Sequence, residues 1–256
     1  MGRKSHPAPN ERNVAQFNAD VERFSAYEYS LGRYSSVVAT QRQTDEMVRM
    51  LTARFPGPLR ILDIGCGDGT YTIELVKRLS VASATAFDAA EVAVARAKER
   101  YGQEYPNVEF RVGSIYASHE LVAPATFDVV VLRGLLHHLY EPERAIASLA
   151  RVADAVLFVE PNGFNPITKM IEKFSSYHRK HEEKSYRPPV LNRWFENEGY
   201  GLIDRRFFGV VPYFCPTLMA KALKIVEPYA ERIPVARHLC CGTHLALYRK
   251  VRRSLS

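Results

Sequence analysis

Cysteine, tryptophan and long hydrophobic runs are all scarce in this chain, which has four cysteines and one tryptophan in 256 residues. Cys66, Cys215, Cys240 and Cys241 show neither metal-ligand spacing nor a disulfide framework, which points to a reducing, cytoplasmic setting. Cys240 and Cys241 fall in a predicted strand and would face opposite sides of it, so they are not expected to pair. The longest uncharged apolar run, Phe207 to Ala220, is too short to span a bilayer and holds two prolines. Behind the charged start Met1-Gly2-Arg3-Lys4-Ser5-His6-Pro7 there is no apolar stretch, so no signal peptide is expected. A soluble or at most peripheral protein follows. No internal repeat, low-complexity segment or recognisable nucleic-acid module is visible.

Negative charge is scarce only in the last third. The net charge is +7, and Lys plus Arg minus Asp plus Glu gives 8 − 6 = +2 for residues 1–58, 10 − 14 = −4 for 59–160 and 17 − 8 = +9 for 161–256. A basic face of this kind is either solvated surface or the side that meets an anionic substrate, carrier or membrane.

What the chain does have is Ile61-Leu62-Asp63-Ile64-Gly65-Cys66-Gly67-Asp68-Gly69-Thr70, a buried-strand pattern that runs into a glycine-rich turn and then a helix. Such a loop lets a ligand approach bare backbone N–H groups at a helix N-terminus. The third glycine falls one position earlier than in G-x-G-x-x-G, and Asp63 and Asp68 flank the loop. Those acids would repel a pyrophosphate but suit an ammonium and a sulfonium, which favours S-adenosylmethionine (SAM) over NAD. A second predicted strand, Ala82 to Phe87, ends at Asp88, about 20 residues past the glycines, where an acid can take the two hydroxyls of a ribose.

With Val112-Gly113-Ser114-Ile115, Phe127-Asp128-Val129-Val130-Val131-Leu132 and Gly134-Leu135-Leu136-His137-His138-Leu139, these pieces resemble the class I SAM-dependent methyltransferases of the small-molecule type, over about a hundred residues. The resemblance implies a Rossmann-like, doubly wound α/β sheet with six parallel strands and one antiparallel strand. It also implies SAM as cofactor, S-adenosylhomocysteine as product, and a cofactor site at Asp63, Gly65, Cys66, Gly67, Asp88, Ala89, Ser114, Ile115 and Arg133. Two positions depart from the family pattern. Ser114 stands where an Asp often accepts the adenine amino proton, and Arg133 where small residues are commoner. Arg133 is either a surface ion-pair residue or a clamp on the methionine carboxylate or an acidic substrate.

Three zones are expected. Residues 1–58 form a helical N-terminal extension or lid, with Val14, Phe17, Val21 and Phe24 at helical spacing and a second helix around Thr40 to Arg54. Residues 59–160 alternate strand and helix, with strands near 60–64, 83–87, 108–112, 127–132 and 154–160. The rest of a SAM-binding domain, 59–256, carries inserts at about 163–186 and 210–238, a helix near 188–198 and strands near 202–209 and 239–249.

Methyl transfer needs an enclosed, in-line site, and a hydroxyl acceptor also needs a base. His137 and His138, just past the fourth strand, are the first candidates, and Glu160, at the end of the fifth, is the competitor. Each has a structural alternative: a ring capping backbone, or a carboxylate anchoring the Pro161-Asn162-Gly163 turn. His178 and His181 lack the H-E-x-x-H pattern, so no metal is expected. With Tyr186 they lie in an insert that resembles the substrate lid of methyltransferases acting on sugars, lipid-linked glycans or secondary metabolites; Tyr27 and Tyr34 look like its counterpart. The expected acceptor is therefore a small molecule, anionic or lipid-linked, with O-methylation favoured. An RNA or protein methyltransferase and a SAM-binding protein without turnover remain alternatives. Expected partners include no nucleic acid, a peripheral membrane contact and a homodimer.

Overall fold

The computed structural model describes residues 14–19, 32–123, 126–174, 183–213 and 215–251. A seven-stranded sheet organises them: β1 (Leu59–Ile64), β2 (Val81–Asp88), β3 (Val108–Val112), β4 (Val129–Arg133), β5 (Ala155–Pro161), β6 (Tyr200–Phe208) and β7 (Thr243–Lys250). Their order is β3-β2-β1-β4-β5-β7-β6. Neighbours from β3 to β5 pair parallel, while β7 runs antiparallel to both β5 and β6, so six strands share one direction and the last is inserted against it.

Alternation along each strand sends its side chains to two separate apolar layers. Ile61, Val129, Val131, Leu157 and Leu247 face one way, onto α2 (Tyr34–Arg54), α3 (Thr70–Arg78) and α4 (Glu91–Tyr101). Leu62, Val130, Val156, Phe158 and Tyr248 face the other way. There, after a short helix α5 (Ser118–Leu121), they meet α6 (Pro142–Leu149) and, beyond α7 (Pro166–Phe174), α8 (Pro188–Asn197). The second helix of the N-terminal zone covers the sheet, because Met47, Met50 and Leu51 are fully buried. Burying each contributes about 1.5–3 kcal/mol.

Three boundaries differ from expectation. α2 starts at Tyr34, six residues before Thr40, because Ser35 and Ser36 are held by hydrogen bonds to the Tyr213 carbonyl. Phe127 makes an isolated bridge to Ala153, and continuous pairing of β4 begins at Val129. The last strand does not start near 239. Thr217–Arg232 (α9) is followed by a further helix, Pro234–Cys240 (α10), whose proline at the first helical position presets the backbone angle. Cys240 therefore ends a helix and is exposed, while Cys241 caps it and is buried.

Candidate functional site

The carboxyl ends of the parallel strands gather the predicted cofactor residues. Gly65 has φ 81°, and a Cβ there would lie 3.1 Å from the Leu135 side chain. Gly69 (φ 77°) caps α3, and its missing Cβ leaves room for Phe110, which would otherwise be 2.8 Å away. The loop is tied to the end of β2: Gly65 and Cys66 donate to the Phe87 carbonyl, at 2.8 and 3.3 Å. Asp88 accepts the Gly67 N–H at 2.9 Å on one oxygen and the Ala90 N–H at 2.8 Å on the other. This acid therefore shapes the pocket, and each oxygen keeps a lone pair directed elsewhere. Burial raises the Asp88 carboxyl above its ordinary range, partly offset by those backbone donors. Ala89 lies partly buried in the turn between them.

Asp63 is buried beneath the loop and accepts the Thr72 hydroxyl at 2.5 Å. Burial pushes its pKa up to about 6, against the Thr72 hydrogen bond and the nearby Arg133 charge. A buried acid of this kind favours an ammonium group close by. Cys66 is also buried, and burial together with the neighbouring acids pushes its thiol well up, so it packs rather than reacts. Beyond Asp88, the Gly113 N–H donates to its carbonyl at 2.9 Å, which brings Ser114 and Ile115 beside it. Ser114 accepts the Tyr116 N–H and caps a single turn, Ile115–Ala117.

Arg133 ends β4 partly buried. Its guanidinium lies 4.0 Å from the centre of the Tyr71 ring and donates to Gln43, Thr44 and the Thr40 carbonyl of α2. Three of its five N–H groups are thus used, and two remain for a carboxylate. None of Tyr71, Thr72, Thr40, Gln43 and Thr44 carried a motif signal in the sequence. Only the helical spacing of Phe17 hinted at the next contact. The segment α1 (14–19) reaches from α4 to the turn after β4: Asn18 accepts the Val92 N–H, and Phe17 packs on Ala90 and Ala93 and edge-on to His138, 5.0 Å away.

The candidate acid–base groups lie at the ends of β4 and β5. Glu160, at the end of β5, accepts backbone N–H groups of Leu135, Leu136 and His137 at 2.9, 2.7 and 3.2 Å, closing the single turn Leu136–His138. The same carboxylate takes His137 Nδ1 at 2.7 Å. A carboxylate only accepts, so Nδ1 carries the proton and Nε2 is left with its lone pair. Burial alone would lower the His137 pKa, but the charge and hydrogen bond of Glu160, with Glu183 and Glu172 beyond, raise it above the ordinary value. The His138 ring lies 3.9 Å from that of His137. Above them, Lys184 N–H donates to the His137 carbonyl, and a Glu183 oxygen lies within 4.8 Å of nitrogens of both rings. Tyr186 donates to the Leu139 carbonyl at 3.5 Å and meets Trp194 edge-on, and its backbone fills the space beside Gly163. Tyr34 opens α2, with Lys221 Nζ 5.8 Å above its ring. Tyr27, His178 and His181 lie outside the described residues.

The fit to SAM rests on a glycine turn that a Cβ would crowd, a buried acid for the ammonium, a second acid for the ribose and an arginine with two N–H groups to spare. Residues 61–155 match the family model described as a methyltransferase domain. Residues 61–155 carry a methyltransferase domain, set in a fold shared with SAM-dependent methyltransferases. It is similar to the malonyl-[acyl-carrier protein] O-methyltransferase of Geobacter sulfurreducens, at 30% identity over 52% of this chain and 50% of that one. To the ubiquinone biosynthesis O-methyltransferase of Hahella chejuensis the identity is 28%, over 60% and 67%. Against several curated relatives the chain spans only 24–50% of their own length. In fold the methyltransferase domain and its additions follow magnesium protoporphyrin IX methyltransferase from Synechocystis PCC 6803, crystallised with bound SAM, with TM-score 0.64 and 15% identity over 97% of this chain and all of that one.

Proposed function

We propose that this protein transfers the methyl group of SAM to a hydroxyl or carboxyl oxygen of a small acceptor, with His137 as the base and Glu160 as its positioning residue. One observation carries the reading: His137 is fixed through Nδ1 by a buried carboxylate, while Nε2 stays available at the carboxyl edge of the sheet, one strand from the cofactor loop. Both Glu160 oxygens are engaged, which suits Glu160 to holding the ring rather than to abstracting a proton itself.

Bound SAM supplies an electrophilic methyl on a sulfonium. The chain's own residues do the rest. Asp63, Asp88 and the glycine turn would orient the cofactor, with Arg133 holding its carboxylate. Phe17 and the 183–187 segment would cover the cleft and exclude water; for a hydroxyl acceptor Nε2 takes the proton as the oxygen attacks, whereas a carboxylate attacks already ionised. The Geobacter and Hahella relatives are O-methyltransferases by name, which favours oxygen as the atom modified. The test is a transfer assay with methyl-labelled SAM against panels of hydroxy and carboxylic acids, phenols, sugars, lipid extracts, RNA and protein. Label in RNA or protein would replace this reading with a macromolecular one. Tight SAM binding with no transfer to any fraction would leave a SAM-binding protein without turnover.

A further inference from the structure

Helix α9 is apolar on the wrong side. Its inward face presents Ala220, Leu223, Glu227 and Ala230, at helical spacing, with Glu227 only 4% exposed. Its outward face presents Leu218 (82% exposed), Met219, Ile225 (73%), Val226 and Tyr229 (65%). Ordinary surface helices bury the apolar stripe and expose the polar one. Exposed apolar residues follow at Ile233, at Val235 and Leu239 of α10, and at Ile167, Met170 and Phe174 of α7, which packs against α10. A contiguous apolar face of this breadth marks a surface that meets something apolar.

Charge says what that is. The two acids of α9 both turn inward. Glu227 binds Lys224 and the Val210 N–H, and Glu231 binds Arg42 and the Gly209 N–H. α10 has no acid at all, so the exposed charges on this pair, Lys221, Arg232 and Arg237, are all cationic. Lys173 of α7 adds to the rim, while Lys169 is paired with Glu172 on the same helix. On α9 and α10, bulky apolar side chains whose exposed charged neighbours are cations have the chemistry of a helix lying in the headgroup region of an anionic membrane. No helix among the described residues is long and apolar enough to cross a membrane, so the contact is one of lying on it.

We propose that the outer face of α9 and α10, with α7, docks the protein on anionic phospholipid. The same helices are sewn to the site. Asn162, two residues past Glu160, donates to the His238 and Cys241 carbonyls, and Asn165 to that of Cys240. The Tyr213 carbonyl, just before α9, accepts the hydroxyls of Ser35 and Ser36 on the helix that holds Arg133. Docking therefore brings the edge of the sheet that holds His137 and the cofactor loop toward the lipid surface. Membrane binding stands independently of the transfer reading.

The test is flotation of the full chain with vesicles of phosphatidylcholine alone and of phosphatidylcholine mixed with phosphatidylglycerol, at low and high salt. Binding is expected to the mixed vesicles only and to fall as salt rises. The pair Leu218→Asp and Ile225→Asp, and separately Lys221→Glu with Arg232→Glu, should each weaken it about tenfold or more, while SAM affinity and melting temperature stay unchanged. Wild-type protein that fails to float overturns the proposal, as does binding indifferent to both pairs. A dimer in light scattering that the apolar pair converts to monomer, without vesicle binding, overturns it in favour of a second copy on this face.

Discussion

His137 Nδ1 lies 2.7 Å from Glu160 Oε2, and that carboxylate also accepts the backbone N–H groups that form the turn carrying the histidine. One buried acid thus fixes both the ring and the peptide beneath it. Glu160 is exposed to 3% and His137 to 9%, so water scarcely competes.

His137→Ala should lower turnover by roughly 10²–10⁴-fold while SAM still binds. The wild-type rate should rise with pH as His137 loses its proton, through a value above the ordinary histidine range, because Glu160 stabilises the charged ring. Glu160→Gln removes that charge, so the rising limb should move to lower pH while the maximum rate falls. Pre-steady-state transfer across pH reads both. If EDTA abolishes wild-type activity and a divalent cation restores it, the base assignment fails.

Asp88→Ala should weaken SAM binding by about 1.5–3 kcal/mol, the usual cost of losing hydrogen bonds to a charged acceptor. The loss also strips Gly67 and Ala90 of their acceptor, so Asp88→Asn, which keeps a carbonyl oxygen, should lose less. Calorimetry with SAM and with NAD checks the assignment, and NAD should not bind.

The Asp63 carboxyl is pushed up to about 6, so below that pH it becomes neutral and loses its pull on an ammonium. SAM affinity should therefore fall as pH drops through about 6. Thr72→Val removes the hydrogen bond that favours the ionised form, and should shift this fall to higher pH. Isothermal titration over the pH range would show both.

His244 gives the fold an acid weakness. It is fully buried, neither ring nitrogen has a partner, and it stacks on Phe207 at 4.9 Å and lies edge-on to Phe158 at 5.1 Å. Burial, with smaller contributions from Arg205 and His238, pushes its pKa down to about 3. The unfolded chain then binds a proton that the folded chain cannot. Stability should be intact above about 6.5 and decline as pH falls toward 3, at a limiting slope of about 1.4 kcal/mol per pH unit. In urea titrations His244→Phe should flatten that part of the acid limb.

Much of the site was legible in the sequence because its parts are local. The Asp63–Gly69 loop is a strand, a turn and a helix start within a dozen residues, and only glycine fits the turn at Gly65. Asp88 and Glu160 end strands whose apolar runs mark where they stop. The paired histidines follow β4 directly, so their place at the carboxyl edge follows from strand order.

Contacts that cross the chain could not be read in this way. Arg133 admits two readings in the sequence, and nothing local shows that α2, some ninety residues earlier, brings Thr40, Gln43 and Thr44 to its guanidinium. The four donors that the turn after β4 brings to the two Glu160 oxygens are likewise invisible in local pattern. The helix Pro234–Cys240 runs into the first residues of the strand expected from 239, because apolar residues in so short a run fit either period. The sequence by itself determined the alternation of strand and helix, the cofactor loop and the acids beside it, since local pattern and backbone sterics settle these. Only the tertiary structure decided which histidine nitrogen is free, what Arg133 holds and which face of α9 looks outward, since each depends on what distant segments bring within a few ångströms.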